Sequence, residues 1–149
     1  ELYMLLIIRN EKMLLEMIQD TEKTFPEHLA FFMLHHLHHP ERTALFHQIE
    51  ERLSTTGQGI QLLFSELYRI RRQRLRIIIR MTESYLVDIH SSMTTRDYLA
   101  SIWSLTYGAA VILNSSFYQR YLGSRDTLRV AYIEQALAMP KQLEQVAAS

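Results

Sequence analysis

The chain contains no cysteine among its 149 residues, which excludes disulfide bonds, thiolate metal sites, iron–sulfur ligation and cysteine nucleophiles. It has only four glycines and three prolines, and strict alternation of polar and apolar residues never persists for the length of a strand. This composition is typical of helices joined by short turns. We therefore predict an all-α fold, and the lack of cysteine favours a reduced, cytoplasmic protein.

Neither sign of charge is in excess, because sixteen basic residues balance sixteen acidic ones. A net charge of zero provides no long-range field that attracts nucleic acid, so we do not expect this chain to bind DNA by itself. The longest apolar run, Leu2–Ile8, is far shorter than the roughly 18 residues of a membrane helix, which predicts no membrane partner. Since Glu1 has no initiator Met before it, we expect a longer parent chain.

Proline, glycine and the spacing of apolar residues divide the chain into six predicted helices in a single domain. Pro140 is predicted to end the last helix, and the tail 141–149 either prolongs that helix or frays. Thr94 and Asp97 have the spacing of a capping box at the start of the fifth helix. The predicted helices are Glu11–Phe25, Pro26–His38, Glu41–Ser54, Ile60–His90, Thr95–Tyr118 and Arg125–Met139.

The fifth predicted helix has large apolar residues around most of its circumference and a stripe of small residues between them. A helix without a charged face must be covered on both sides, and small residues allow another backbone to approach closely. We therefore predict that the last two helices form a four-helix bundle in a two-fold dimer. The alternative, a central helix buried within one subunit, stays open. The predicted interface residues are Ser101, Ser104, Gly108, Ile112, Ser115, Val130, Ile133 and Leu137.

Three local stretches give the chain a resemblance to the C-terminal domain of TetR-family transcriptional regulators. Arg9–Leu15 is similar to the segment that opens the helix leaving the DNA-binding domain of that family. His39–Phe46 is similar to its helix break at a His-Pro-Glu, and Tyr98–Gly108 is similar to the start of its first dimer helix. The resemblance implies a homodimeric effector-binding domain and an N-terminal helix-turn-helix, which this chain lacks.

The resemblance also implies a pocket between the second, third, fourth and fifth helices. A small molecule, expected to be hydrophobic or aromatic, would enter there and change the spacing of two DNA-reading heads. The candidate lining residues are apolar or aromatic side chains with a few polar groups. They are Phe31, Phe32, His35, Phe46, Phe64, Tyr68, Arg71, Trp103 and Tyr107.

Six arginines lie on the fourth predicted helix, and helical projection divides them into two groups. Arg71 and Arg74 project into the apolar arc, where an unpaired guanidinium would be costly. They must pair with a carboxylate such as Glu50, Glu51 or Glu66, or one of them must meet an acidic ligand. The others form a predicted solvent-exposed stripe of Arg69, Arg72, Arg76 and Arg80.

Histidines cluster on the second predicted helix, where His28, His35 and His38 lie within an arc of about 80°. Such spacing can present imidazoles to Zn²⁺ or Ni²⁺, but no Glu-x-x-His pair accompanies it, and we predict no metal and no cofactor. Phosphate-binding loops and nucleophile motifs are absent, so we do not predict an enzyme. The alternative function is a helical-bundle carrier of a metal or small ligand with no role in DNA binding.

Overall fold

Six α-helices and one short 3₁₀ turn form the computed structural model, which describes the backbone of residues 1–57 and 59–148 and the side chains of residues 1–57 and 59–141. The described residues contain no strand, so the all-α prediction is confirmed. No helix among them is both long and apolar enough to cross a membrane. The helices are α1 (Leu2–Ile18), α2 (Phe25–Leu37), α3 (Pro40–Thr56), α4 (Gln61–Asp88), α5 (Thr95–Leu113) and α6 (Arg125–Ala148).

The first helix differs most from its prediction, because α1 begins at Leu2 rather than Glu11 and ends at Ile18 rather than Phe25. The apolar run at the start of the chain is therefore helical. Met4 and Ile7 are buried in a core cluster with Leu67 of α4. Burial against α4 stabilises this helix more than its own sequence propensity does.

Residues 19–24 form a turn that the sequence analysis included in the first helix. Thr24 caps α2: its side chain accepts a hydrogen bond from the Glu27 backbone N–H (3.4 Å), and the Glu27 carboxylate accepts one from the Thr24 N–H (2.7 Å). This reciprocal capping box starts the helix at Phe25, and Pro26 occupies its first turn. The predicted boundary at Pro26 was therefore wrong by one residue for α2 and by seven for the end of α1.

The fifth helix begins as predicted, with the Thr94 side chain accepting from the Asp97 N–H (3.1 Å), but it ends at Leu113 rather than Tyr118. Gln119 and Arg125 both donate to the carbonyl of Leu113. These side chains satisfy an acceptor that continued helix would otherwise have used. The following Tyr118–Arg120 segment is a 3₁₀ turn.

The last helix continues through Pro140, although proline was predicted to end it; of the two alternatives left open for the tail, prolongation of the helix is the one observed. Proline lacks the N–H that would bond to the carbonyl four residues earlier, which is that of Ala136. That carbonyl instead accepts a hydrogen bond from the Tyr98 hydroxyl (2.8 Å), and the Pro140 carbonyl accepts one from Ser91 (2.7 Å). Tyr98 is fully buried, and burial raises its pKa.

Two clusters of buried apolar side chains hold these helices together. One joins α2, α5 and α6 around Leu37, Ile102 and Leu113. The other joins α1 to α4 around Met4 and Ile70. Helices of both clusters contribute side chains to the larger of two cavities.

The bond between Tyr98 and Ala136 predicts a dependence on Pro140. Tyr98→Phe should lower the free energy of unfolding by about 1–3 kcal/mol, because it leaves a buried carbonyl without a donor. In a Pro140→Ala background the restored backbone N–H can bond to Ala136, so the same substitution should cost clearly less. Urea unfolding of the four proteins measures this coupling, with Tyr68→Phe on the surface as the control. Equal costs in both backgrounds would contradict the explanation.

Candidate functional site

A buried ion-pair network connects α1, α3 and α4. Glu11 of α1, which is 6% exposed, accepts hydrogen bonds from Arg71 Nε (3.1 Å) and Arg74 Nε (3.0 Å) of α4. Arg71 also donates to both carboxylate oxygens of Glu50 on α3, at 2.6 and 3.0 Å. Burial disfavours the charge of Arg71, but the bonds to Glu50 and the attraction of Glu11 outweigh it, so its pKa is raised. Two cations and two anions thus neutralise each other.

The network confirms the prediction that Arg71 and Arg74 pair with carboxylates, and Glu50 is one of the predicted partners. Glu66 instead binds Arg69 on the surface at 2.9 Å. The other predicted surface arginines, Arg72, Arg76 and Arg80, are exposed as expected.

Glu11 was missed because the predicted first helix began there. With α1 starting at Leu2, Glu11 occupies a position on the apolar stripe of Met4, Ile7, Ile8 and Leu14. A carboxylate within such a stripe indicates a buried partner of opposite charge. The interruption of the stripe was the signal that could have identified Glu11.

Beside this network lies a cavity of about 330 Å³ with walls from α1 to α5. Its lining combines charged, imidazole and aromatic groups, and the helix α1 contributes to it although the prediction left that helix out. Cavities of a few hundred cubic ångströms are of the size that binds small molecules. The lining residues are Ile7, Asn10, Glu11, His35, His36, Arg42, Thr43, Phe46, His47, Glu50, Glu51, Arg71, Arg74, Leu75, Ile78, Trp103 and Tyr107.

A second cavity of about 60 Å³ is almost entirely apolar. It shares the side chains of Arg74, Ile78 and Trp103 with the larger cavity, so the two cavities are adjacent, and these three side chains form their shared wall. The residues that line it are Leu14, Met17, Ile18, Phe25, His28, Leu29, Phe31, Phe32, Arg74, Ile78, Met81, Leu99, Ile102 and Trp103.

The structure brings together seven of the nine predicted pocket residues in these two cavities. The larger one contains His35, Phe46, Arg71, Trp103 and Tyr107; the smaller one contains Phe31, Phe32 and, again, Trp103. Phe64 and Tyr68 line neither.

Those two residues lie elsewhere on α4. Phe64 packs against the core cluster of α1 and α4, while the Tyr68 ring is partly exposed next to it, with ring centroids 5.7 Å apart. The prediction grouped these two residues with the other aromatic candidates because their position around the bundle depends on packing angles that the sequence does not specify.

His36 forms a buried pair with Thr43 in the wall of the larger cavity. Its Nδ1 lies 3.1 Å from the Thr43 hydroxyl oxygen, and that hydroxyl donates to the His36 carbonyl (3.1 Å). Because the hydroxyl has a single proton, both contacts are hydrogen bonds only if His36 Nδ1 carries the imidazole proton. The Nε2 atom is then an acceptor, and it is buried without a hydrogen-bond partner among the side chains and backbone that the structure describes.

Both histidines of this wall are held neutral. Burial lowers the pKa of His36 to about 3, with repulsion from His35, Arg74 and Arg42 acting in the same direction. Burial and repulsion from Arg42 lower the pKa of His35 to about 4. The His35 Nε2 lies 2.8 Å from the side-chain oxygen of Asn10, which fixes the ring against α1.

The three histidines predicted to lie on one arc, His28, His35 and His38, do not converge on one point. His28 Nε2 bonds to the carbonyl of Asp20 (2.9 Å), whereas His35 bonds to Asn10 and His38 is exposed. Within residues 1–57 and 59–141, no three His, Asp or Glu side chains form a group suited to holding a metal ion.

The contact between Thr43 and His36 joins a hydroxyl to an imidazole, as in a nucleophile with its general base. Its chemistry differs, since the hydroxyl proton is directed to a backbone carbonyl and an imidazole with a pKa near 3 is a weak base. Thr43 is also buried. This geometry favours binding over hydroxyl activation.

The surface of α5 and α6 bears the residues predicted for the dimer interface. Ser104, Gly108 and Val130 are exposed, and a Cβ added at Gly108 would meet no heavy atom within 4 Å. Large apolar side chains that were not predicted are exposed near them: Val111, Phe117, Tyr118 and Tyr121. The remaining predicted residues, Ser101, Ile112, Ser115, Ile133 and Leu137, are half-buried.

Glu11→Ala should destabilise the domain by about 3–5 kcal/mol, because it leaves two guanidinium groups near or within the core without their shared carboxylate. Glu16→Ala, an exposed position on the same helix, should change the free energy of unfolding by less than about 0.5 kcal/mol. Chemical unfolding of both variants measures the difference. If both substitutions change the free energy of unfolding by similarly small amounts, a structural role for the network is contradicted.

Acid should weaken the fold through His36. The unfolded imidazole has a pKa near 6.5, so below that pH the unfolded chain binds a proton that the folded chain excludes down to about pH 3. The His36 contribution to stability is therefore complete above pH 6.5 and declines by up to about 1.4 kcal/mol per pH unit as the pH falls. Urea unfolding at several pH values between 7 and 4 gives the free energy of unfolding as a function of pH. This free energy should fall less steeply with decreasing pH for His36→Gln than for the control His38→Gln. Identical slopes would contradict this assignment.

Comparisons with known proteins assign no family to the chain. No protein-family model matches it, and no curated protein has significant sequence similarity to it. Inference about function therefore depends on the cavities, the ion-pair network and the exposed surface of α5 and α6.

Proposed function

We propose that this chain is the effector-sensing and dimerisation domain of a TetR-like transcriptional regulator. In this proposal a small molecule binds inside each subunit and alters the DNA affinity of a helix-turn-helix domain that would precede Glu1. The observation that carries the proposal is the cavity of about 330 Å³ that is lined by residues of five helices. Polar groups directed at an internal cavity are typical of a ligand site rather than of a packed core.

The position of α1 supports a route from ligand to DNA. Ile7, Asn10 and Glu11 of this helix line the cavity, and Glu11 is bound to α4 through Arg71 and Arg74. A ligand that repositions these groups would shift α1 relative to α4. Since α1 precedes the other five helices in the chain, it would transmit the shift to a DNA-binding domain attached in front of it. A ligand shifts this equilibrium only by its difference in affinity for the two arrangements.

The exposed surface of α5 and α6 supports the dimer. Val111 is 57% exposed and Val130 is 55% exposed, although a domain of this size can bury apolar side chains of its long helices in a core. A Cβ added at Gly108 would meet no heavy atom of the described residues within 4 Å, and glycine inside a helix costs about 1 kcal/mol relative to alanine. A second subunit approaching at Gly108 would explain both the glycine and the exposed apolar side chains.

The ligand site favours a non-enzymatic role, as argued for Thr43 and His36. A small-ligand carrier with the same cavity would need no dimer and no coupling to DNA. The oligomeric state is therefore the measurement that tests the proposed regulator.

Gly108→Arg should convert a dimer into a folded monomer, because the space next to Gly108 accepts a side chain within one subunit but not between two close helices. Light scattering at micromolar concentration measures the mass, and circular dichroism monitors the fold. Gly123→Arg is the matched control, since Gly123 is also open and lies outside the helices; it should remain a dimer. A Gly108→Arg variant that stays dimeric, or a wild-type monomer, would contradict the proposal.

A further inference from the structure

The two cavities together have a polar and an apolar part. Arg74, Ile78 and Trp103 separate the charged cavity of about 330 Å³ from the apolar cavity of about 60 Å³. Apart from Arg74 and His28, every residue that lines the smaller cavity is apolar. Its walls include Met17 and Met81, whose flexible side chains adapt to the shape of an apolar group.

The arginines that line the larger cavity differ in how their charge is compensated. The carboxylates of Glu11 and Glu50 already accept from Arg71 and Arg74. Arg42, by contrast, makes one long hydrogen bond of 3.4 Å to the His35 carbonyl and no ion pair with any carboxylate of the described residues.

This arrangement selects the charge of a ligand. An anionic group would meet the guanidinium of Arg42, which can bind a carboxylate through two parallel N–H donors. A cationic group would compete with Arg71 and Arg74 for the carboxylates of Glu11 and Glu50. The other carboxylate of the lining, Glu51, belongs to an exposed residue, where solvent screens its charge. The neutral state of His35 and His36 leaves the arginines as the positive charges of the cavity wall.

We propose that the two cavities form one site for an amphipathic organic acid, with its carboxylate bound by Arg42 and its apolar tail extending past Trp103 into the smaller cavity. Trp103 would move aside to open the shared wall. This inference depends on the proposed function only in taking the cavity as the effector site, and it adds an anionic head group to the apolar ligand expected from the sequence.

Octanoate, octanol and octylamine test the charge of the head group because they share one tail. Trp103 is the only tryptophan and lines both cavities, so its fluorescence reports binding directly, and the melting temperature reports stabilisation by mass action. We expect octanoate to bind the wild-type chain at least about tenfold more tightly than octanol or octylamine. Arg42→Gln should remove this preference, whereas Arg76→Gln, an exposed position on α4, should retain it.

Butanoate and Met81→Phe test the position of the tail. Filling the smaller cavity should weaken octanoate binding about tenfold and leave butanoate, which is too short to extend into it, nearly unchanged. Thermal unfolding of each variant without ligand verifies that the fold is retained.

The outcomes separate this inference from the proposed function. Binding of octanol or octylamine with affinity equal to that of octanoate would overturn the anionic head group while leaving an effector domain intact. If Met81→Phe weakens the binding of butanoate and of octanoate equally, the extension of the tail through the shared wall is overturned. A dimer that binds none of the four probes would overturn the organic-acid inference alone, whereas a monomer would overturn the regulator proposal.

Discussion

The carboxylate of Glu11 holds the arrangement of α1, α3 and α4, because it is the shared acceptor of two arginines on α4. Burying a charge is costly unless a partner of opposite charge compensates it, and here each charge depends on the others: Glu11 on Arg71 and Arg74, and Arg71 on Glu50. The network limits how closely the surrounding side chains can pack. A cavity next to a set of charged groups is a physical consequence, since apolar side chains that would fill the space would also remove solvation from the ions.

The same requirement for hydrogen-bond partners explains the course of α6. Pro140 leaves the Ala136 carbonyl without its helical donor, and Tyr98 supplies one from α5. This bond joins α5 to the helix with which we propose it forms the dimer surface. It also shows why a buried tyrosine occurs in an otherwise apolar cluster: its ring fills the core, and its hydroxyl satisfies a carbonyl there.

The cavity and the surface can be coupled through α5. Trp103 and Tyr107 of this helix line the larger cavity. Gly108 directly follows Tyr107, and a Cβ added there would meet no heavy atom of the described residues within 4 Å. A ligand that moves Trp103 would act on the helix that carries the proposed dimer contact. The direct link to α1 through Asn10 and Glu11 provides a second connection from the cavity, toward the start of the chain.

The sequence by itself determined the helical class, the number of helices, the exposed arginine stripe and the need of Arg71 and Arg74 for carboxylates. These features follow from local periodicity and from the cost of burying an unpaired charge. Neither argument requires knowing which distant residue packs against the helix or pairs with the charge. Tertiary structure alone decided that Glu11 is the central partner, that Phe64 and Tyr68 lie outside the cavities, and that α6 continues through Pro140. Two of these features involve a residue distant in sequence. Glu11 lies sixty residues or more from Arg71 and Arg74, and Tyr98 lies thirty-eight residues from Ala136. Local pattern specifies which side of a helix must be covered, but only packing determines which distant group covers it.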